Sequence, residues 1–439
     1  MTEHIVTHRQ VWRIAGPMII ANISTPLLGM VDTAMVGHLS AAHYLGAVAI
    51  GSMIFTFVFW GFGFLRMATT GLTSQAYGEN STAKMQAVLM QSIWLALIIA
   101  LLLLLLQIPI RDVALHLVDS SGDVEQFAAI YFDIRIWSAP ATLINYAILG
   151  WLIGREASKA ALLMVLVINI TNILLDGLFV MGLGMDVDGV ALASVIAEYT
   201  GLIVGLVLLN HYGLNKSGIH LSLSKKVLQQ SRHGLTVHGN VMIRTFLLIS
   251  CFALFTTQGA RQGDTVLAAN SVLLNFITLM AFVLDGFANA TEALTGKAIG
   301  RKSPSMLRKA LSLTAFWSVL MAALFSLTYL LFGEWIIRLL TGIEAVIDYA
   351  GMHLIWVIIA PLIAVWSYLL DGLFVGATRS REMRNTMLFS AFCCYLPAFY
   401  LLQPFGNHGL WAALLIFLAA RGLSQSLYIG GIMRLADPN

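Results

Sequence analysis

Residues Leu101 to Leu106 are six leucines in succession, inside a run from 86 to 108 that carries no charge. In hydrocarbon, backbone polar groups must be bonded within the segment, so such a run is a helix. About 20 apolar residues cross a bilayer core. Eleven other apolar segments fall at 11–38, 46–75, 126–153, 159–182, 189–210, 234–259, 266–297, 307–332, 348–376, 384–403 and 408–432. The chain therefore reads as an all-α polytopic membrane protein with twelve transmembrane helices. Composition agrees: 59% of the 439 residues are hydrophobic and 11% charged, where a soluble domain carries about 25% charge. A soluble enzyme, a nucleic-acid binder and a disordered chain are excluded on that ground. A β-barrel is excluded because its strands alternate polar and apolar residues. The first segment, with Gly16, Pro17 and Pro26, lacks the short apolar stretch and small-residue cleavage site of a signal peptide, and reads as a retained helix.

Charge placement gives an orientation. With the N-terminus in the cytoplasm, eighteen of the 25 Lys and Arg residues fall on cytoplasmic segments and three on outer loops, Arg111, Arg261 and Arg338. The positive-inside rule then sets both termini inside. The other four, Arg66, Arg135, Arg244 and Arg421, lie within spans.

The chain also repeats itself. Gly71-Leu-Thr-Ser-Gln-Ala-Tyr-Gly78 matches Ala293-Leu-Thr-Gly-Lys-Ala-Ile-Gly300, and Gly150-x-x-x-Gly154 matches Gly372-x-x-x-Gly376, both at an offset of 222. Six spans precede the longest connection and six follow it. The expected organisation is an N-lobe over 1–210, a cytoplasmic linker over 211–233 and a C-lobe over 234–439. An even number of spans per half makes these parallel repeats, related by a pseudo-two-fold along the membrane normal. Two such halves around a central cleft are a common alternating-access design.

Enzyme chemistry finds no support. There is no G-x-x-x-x-G-K-[ST] loop and no H-E-x-x-H. The histidines are scattered, and Cys251, Cys393 and Cys394 sit in apolar runs as small buried hydrophobes.

Polar residues at bilayer depth are functional candidates. Asn22, Thr25, Gly29 and Asp32 share one face of the first segment, beside Pro26, which removes a backbone donor and invites a kink. In the fifth segment Asn169, Asn172 and Asp176 share a face, and in the sixth Ser194 and Glu198 stand at i, i+4. In the orientation above, Asp32, Asp176 and Ser194 lie at one level, ~9 Å from the outer ends of their helices. Two carboxylates, an amide and a hydroxyl at one depth can bind a small cation, with Na⁺ at Asp32 and Asp176, or hold a shared proton. The plainer alternative is a polar cluster that locks helices together, and Glu198 fits either reading. Asp133 and Arg135, two apart in the fourth segment, look to partners on other helices. At the 222 offset Asp32 maps to Leu254, so the site is not duplicated. Asp285, Glu292 and Asp371 lie toward the cytoplasmic ends of their helices, with Arg66 at similar depth. Ion pairs near the interface are the plain expectation there, and Arg66, Glu292 and Asp371 are a candidate inner gate.

Several stretches carry a family resemblance. Pro26-Leu-Leu-Gly-Met-Val-Asp32-Thr-Ala-Met-Val-Gly37 resembles the first helix of the multidrug and toxic compound extrusion (MATE) transporters. The resemblance continues through Arg66 to Gly78, Gly150 to Gly154, Asn172-x-x-x-Asp176, Gly189 to Tyr199, Leu284 to Leu294 and Tyr368 to Arg379, most similar to the DinF-type branch. It implies a two-lobed, twelve-helix exporter of organic, often cationic, drugs in exchange for H⁺ or Na⁺. It places the coupling cation on residues matching Asp32, Asn172 and Asp176, with Ser194 at a hydroxyl position. Tyr131 and Asn145 carry over less directly. It implies that the first helix bends at Pro26 when the aspartate is protonated. Some branches hold Na⁺ in the second lobe with an acid on helix seven, but 234–259 contains none here.

The resulting expectation is a multidrug efflux antiporter of a bacterial-type inner membrane, multi-pass, monomeric, working by alternating access and coupled to H⁺ in preference to Na⁺. Its partners are small organic cations and membrane lipids, with no nucleic acid and no cofactor beyond the coupling ion. The alternative is a lipid-linked precursor flippase of the same superfamily. Such a flippase would need several cations for a phosphate headgroup, and only Arg66, Arg135 and Arg244 offer themselves.

Overall fold

The computed structural model describes residues 6–36, 42–118, 122–212 and 225–437. Side chains at 27–36, 42, 43, 45, 118, 123 and 225–231 lie outside the described set. Every regular element there is helical. The first half contains α1 (His8–Val36), α2 (Ala42–Gly61), α3 (Phe64–Gly78), α4 (Thr82–Leu105), α5 (Gln107–Val118), α6 (Gly122–Arg135), α7 (Ala139–Gly154), α8 (Ser158–Asp176) and α9 (Val187–His211). The second contains α10 (Lys225–Arg261), α11 (Asp264–Gly300), α12 (Pro304–Leu340), α13 (Glu344–Gly376), α14 (Ser380–Leu388), α15 (Leu396–Leu402), α16 (Gly406–Ser426) and the short α17 (Ile429–Met433).

Ten helical runs among the described residues are long and apolar enough to cross a membrane. The last of them, 380–426, is a hairpin. A 3₁₀ turn at Gln403–Phe405 and the positive φ of 56° at Gly406 reverse the chain. A Cβ on Gly409 would fall 2.0 Å from the Leu402 carbonyl oxygen, so only glycine fits where the arms cross. Counted as two crossings, and with the 29 residues of α1, the run completes twelve membrane-length segments.

Several segments are less regular than their hydropathy. The second breaks between α2 and α3 at Phe62 and Gly63. The fourth breaks at the 3₁₀ turn Ile136–Ser138, just ahead of Pro140, which has no N–H to offer the preceding turn. The fifth ends in a π-helical turn, Gly177–Gly182, directly after Asp176. The connection after α4 carries a helix that the apolar pattern does not show, α5. Its Arg111 donates to Asp133 of α6 at 2.8 and 3.0 Å, which gives Asp133 its partner.

Packing divides the chain into two compact units. The N-terminal unit holds 20–73 and 81–234; the C-terminal unit holds 1–19, 74–80 and 235–439. The beginning of α1 and the end of α3 thus group with the second half, unlike the lobe limits drawn from the repeat. Trp12 shows why for α1: its ring meets Phe287 and Trp317 edge-on at 5.3 and 5.2 Å. The core of the C-terminal unit is built on Phe255, Leu273, Phe276, Trp411 and Phe417.

The 222-residue repeat is written into the backbone. Asn80 and Lys302 both take positive φ, at 54° and 51°, as do Glu156 and Thr378, at 64° and 53°. Ser81 and Ser303 both cap the next helix through their hydroxyls. A Cβ on Gly150 would fall 2.4 Å from the carbonyl oxygen of Arg66, and one on Gly372 2.6 Å from that of Ala288. The four positions form two pairs at the same offset. Small residues let helix backbones touch where no hydrophobic contrast with lipid drives packing.

Candidate functional site

On α8 the expected polar face forms. Asn169, Asn172 and Asp176 are buried, Asp176 completely. The Asn172 side-chain amide donates to Ser194 Oγ on α9 at 3.4 Å. The Asn169 amide donates to Ser24 Oγ on α1 at 2.8 Å. The face of α8 therefore joins both helices that the sequence paired with it. Asp32 lies on α1 beyond Ser24, and its side chain is outside the described residues. The helix runs unbroken through Pro26. The arrangement is an amide and a hydroxyl in contact, with a fully buried carboxylate one helical turn away. That set can coordinate a small cation or keep a proton in a polar pocket at bilayer depth.

A second polar group lies one turn further along α9, in the same unit. The Asn145 amide of α7 donates both to the Glu198 backbone oxygen and to Glu198 Oε2, each at 3.0 Å. Arg135 Nη2 of α6 stands 3.7 Å from Glu198 Oε1. Arg135 also donates to Ser138 Oγ and sits over the rings of Phe55 and Phe59, at 5.7 and 5.4 Å. Tyr146 lies within electrostatic reach of Glu198, Arg66 and Arg135. Tyr131 reaches this group through Phe55, whose ring centroid lies 6.2 Å from its own; its hydroxyl lies 3.3 Å from Ser52 Oγ, and its ring covers the backbone of α2 at Gly51.

The C-terminal unit holds a cluster that sequence reasoning did not assemble. Asp371 of α13 accepts from Arg421 and Gln425 of α16, each at 2.6 Å, and pairs with Arg244 of α10. All four residues are buried. Tyr368 lies within reach of Asp285, Arg421, Arg244 and Asp371. Arg244 and Arg421 were visible as cations within spans, but they lie 127 and 50 residues from their acid. Of the candidate inner gate, Asp371 thus has its counter-charges inside its own unit. Glu292, buried on α11, belongs to that unit, and Arg66 of α3 to the other.

The family model described as MatE matches residues 17–178 and 241–401. DNA damage-inducible protein F of Escherichia coli strain K12 is 45% identical over 417 residues, covering 95% of this chain and 90% of that protein. Multidrug resistance protein MdtK of Yersinia pseudotuberculosis serotype O:1b is 25% identical over 458 residues, covering 98% and 96%. A solved outward-facing multidrug resistance MATE family transporter of the MOP superfamily superposes with a TM-score of 0.86 at 17% identity, covering 98% and 97%.

Proposed function

Because this chain belongs to the MatE family of membrane transporters, we propose that it exports small organic, chiefly cationic, compounds by alternating access, in exchange for H⁺ in preference to Na⁺. The observation that carries the reading is the contact of Asn172 with Ser194 beside the fully buried Asp176. A buried acid next to a polar pair is a place where a proton can be taken up and released, and Asp32 belongs to α1, the helix whose Ser24 accepts from Asn169. The basic bias of the connections supports a cytoplasmic location for both termini, and the membrane is the bacterial-type inner one. Two of the three arginines a phosphate-binding flippase would use face carboxylates of their own unit, Arg244 paired with Asp371 and Arg135 3.7 Å from Glu198.

Transport follows from reciprocal coupling: if protonation lowers affinity for cargo, cargo lowers affinity for the proton by the same factor. A coupling of ~1.4 kcal/mol changes affinity tenfold. The test is dye movement in proteoliposomes under an imposed pH gradient or an imposed Na⁺ gradient. A pH gradient alone should drive accumulation, and a Na⁺ gradient at equal pH should not. Asp32→Asn and Asp176→Asn should bind dye with no pH dependence and lose pH-driven transport. If Asp32→Asn and Asp176→Asn still pump with an unchanged pH profile, this assignment of the coupling site is wrong.

A further inference from the structure

Helix α12 carries an apolar groove beside a basic end. From Leu311 to Phe332 it has no charge, a stretch of ~33 Å at 1.5 Å per residue, close to the thickness of a hydrocarbon core. Ala315, Phe316, Val319, Leu320 and Ala323 line a shallow groove of about 430 Å³. Phe316 and Leu320 are 53% and 44% exposed, so the groove opens away from the protein, toward acyl chains. Helix α1 fixes its aromatic wall. Trp317 Nε1 donates to His8 Nδ1 at 3.0 Å, and the His8 ring meets Phe316 edge-on at 6.0 Å.

Ser312, Phe316, Val319 and Ala323 recur at i, i+4, i+7 and i+11 and form one stripe. Arg308 and Lys309 lie one turn before it, about 50° to either side at 3.6 residues per turn. Both are exposed, and neither has a carboxylate partner among the described residues. They stand where the uncharged stretch begins, at the level of lipid headgroups. Arg301 and Lys302, just ahead of the helix, add two more cations.

The internal repeat supplies a comparison within the molecule. At the 222 offset α12 corresponds to α4. Arg301, Lys302, Arg308 and Lys309 become Glu79, Asn80, Gln86 and Ala87, while Ala315, Val319 and Ala323 become Ile93, Leu97 and Leu101. Both helices keep the serine cap and the positive φ ahead of it. The repeat therefore folds without the cations and with larger side chains in place of the alanines. Neither feature is demanded by the helix, and both occur together on α12.

We propose that this face of α12 binds one anionic phospholipid, with an acyl chain along Phe316 to Ala323 and the phosphodiester between Arg308 and Lys309. Each cation near a membrane surface strengthens the attraction of anionic lipid about fivefold. A zwitterionic lipid brings the same phosphate with an ammonium beside it, so net charge is what the basic end discriminates.

The test melts the purified full-length protein in detergent while dioleoyl phosphatidylglycerol or dioleoyl phosphatidylcholine is added. Phosphatidylglycerol should stabilise the parent at a lower lipid fraction than phosphatidylcholine. Arg308→Gln with Lys309→Ala, the residues of α4, should raise the half-saturating fraction of phosphatidylglycerol about 30-fold and leave that of phosphatidylcholine unchanged. Ala315→Ile with Ala323→Leu, again the residues of α4, should weaken both lipids. Lys84→Gln with Lys159→Gln removes two cations from the other unit and should behave as the parent. If this pair weakens phosphatidylglycerol as much as the Arg308 and Lys309 pair does, the response is to net charge and the site is wrong. If inorganic phosphate alone stabilises the parent equally, no lipid is required and the proposal falls. A parent that is dimeric by light scattering, with a monomeric Ala315→Ile, Ala323→Leu variant, would give the groove to a second copy of the chain instead. Should the Arg308 and Lys309 pair not fold, Arg308→Gln alone decides: a half-saturating fraction equal to the parent's overturns the proposal.

Discussion

Asp371 shows what a single buried carboxylate does in this molecule. It binds α10, α13 and α16 together through Arg244, Arg421 and Gln425. Two buried guanidiniums are tolerable only beside a counter-charge. Asp371→Asn would leave both uncompensated, and breaking a buried pair from one side costs about 3–5 kcal/mol. The variant should melt well below the parent in detergent, followed by fluorescence. Its dye binding should keep the parent's pH dependence, because the proposed coupling residues lie in the other unit. A flattened pH profile in Asp371→Asn would move the coupling site to the C-terminal unit. At this scale the sequence displayed which polar residues are buried in spans, but not how they pair. Helix faces put Asn172 and Ser194 on polar stripes but set Asp176 level with Ser194, where the structure sets Asn172; nothing pointed to Arg244 with Asp371, because no spacing rule links residues 127 positions apart.

At the scale of elements, the copies of the repeated motif meet each other. A Cβ on Gly78 of α3 would fall 2.3 Å from the Lys297 carbonyl oxygen of α11, and one on Gly300 would fall 2.1 Å from that of Gln75. Gly300 and Lys297 are Gly78 and Gln75 advanced by 222, so the contact is reciprocal, as in a two-fold interface. Gly78→Ala and Gly300→Ala should each destabilise by ~1–3 kcal/mol, the usual effect of overpacking. The double variant should lose less than the sum, since one displacement relieves both clashes. Additive losses in thermal melts would show that the two positions do not share a contact. Pro26 offers a second test. Alanine there returns a backbone N–H to α1 and stiffens it. Pro26→Ala should keep dye affinity within about threefold and slow turnover severalfold, read from steady-state transport. Unchanged turnover would remove Pro26 from the mechanism.

For the whole molecule, the proposed orientation predicts surface chemistry. Arg301→Cys should react with an impermeant thiol reagent only from the cytoplasmic side, and Asp186→Cys only from outside. Labelling of Arg301→Cys in intact cells from outside would overturn it. The sequence by itself determined the number of crossings, their helical nature, the internal repeat and the polar faces of α8 and α9. Each of these depends on local quantities: run length, hydropathy, spacing and recurrence. Tertiary structure alone decided that the start of α1 and the end of α3 group with the second half. It also decided that Glu198 lies between Asn145 and Arg135, and that Asp371 closes a cluster with two arginines. The physical reason is the solvent. In lipid a helix can be apolar on every side, so hydropathy does not mark the face that packs inward. That face is set by small residues and polar groups meeting partners from distant parts of the chain.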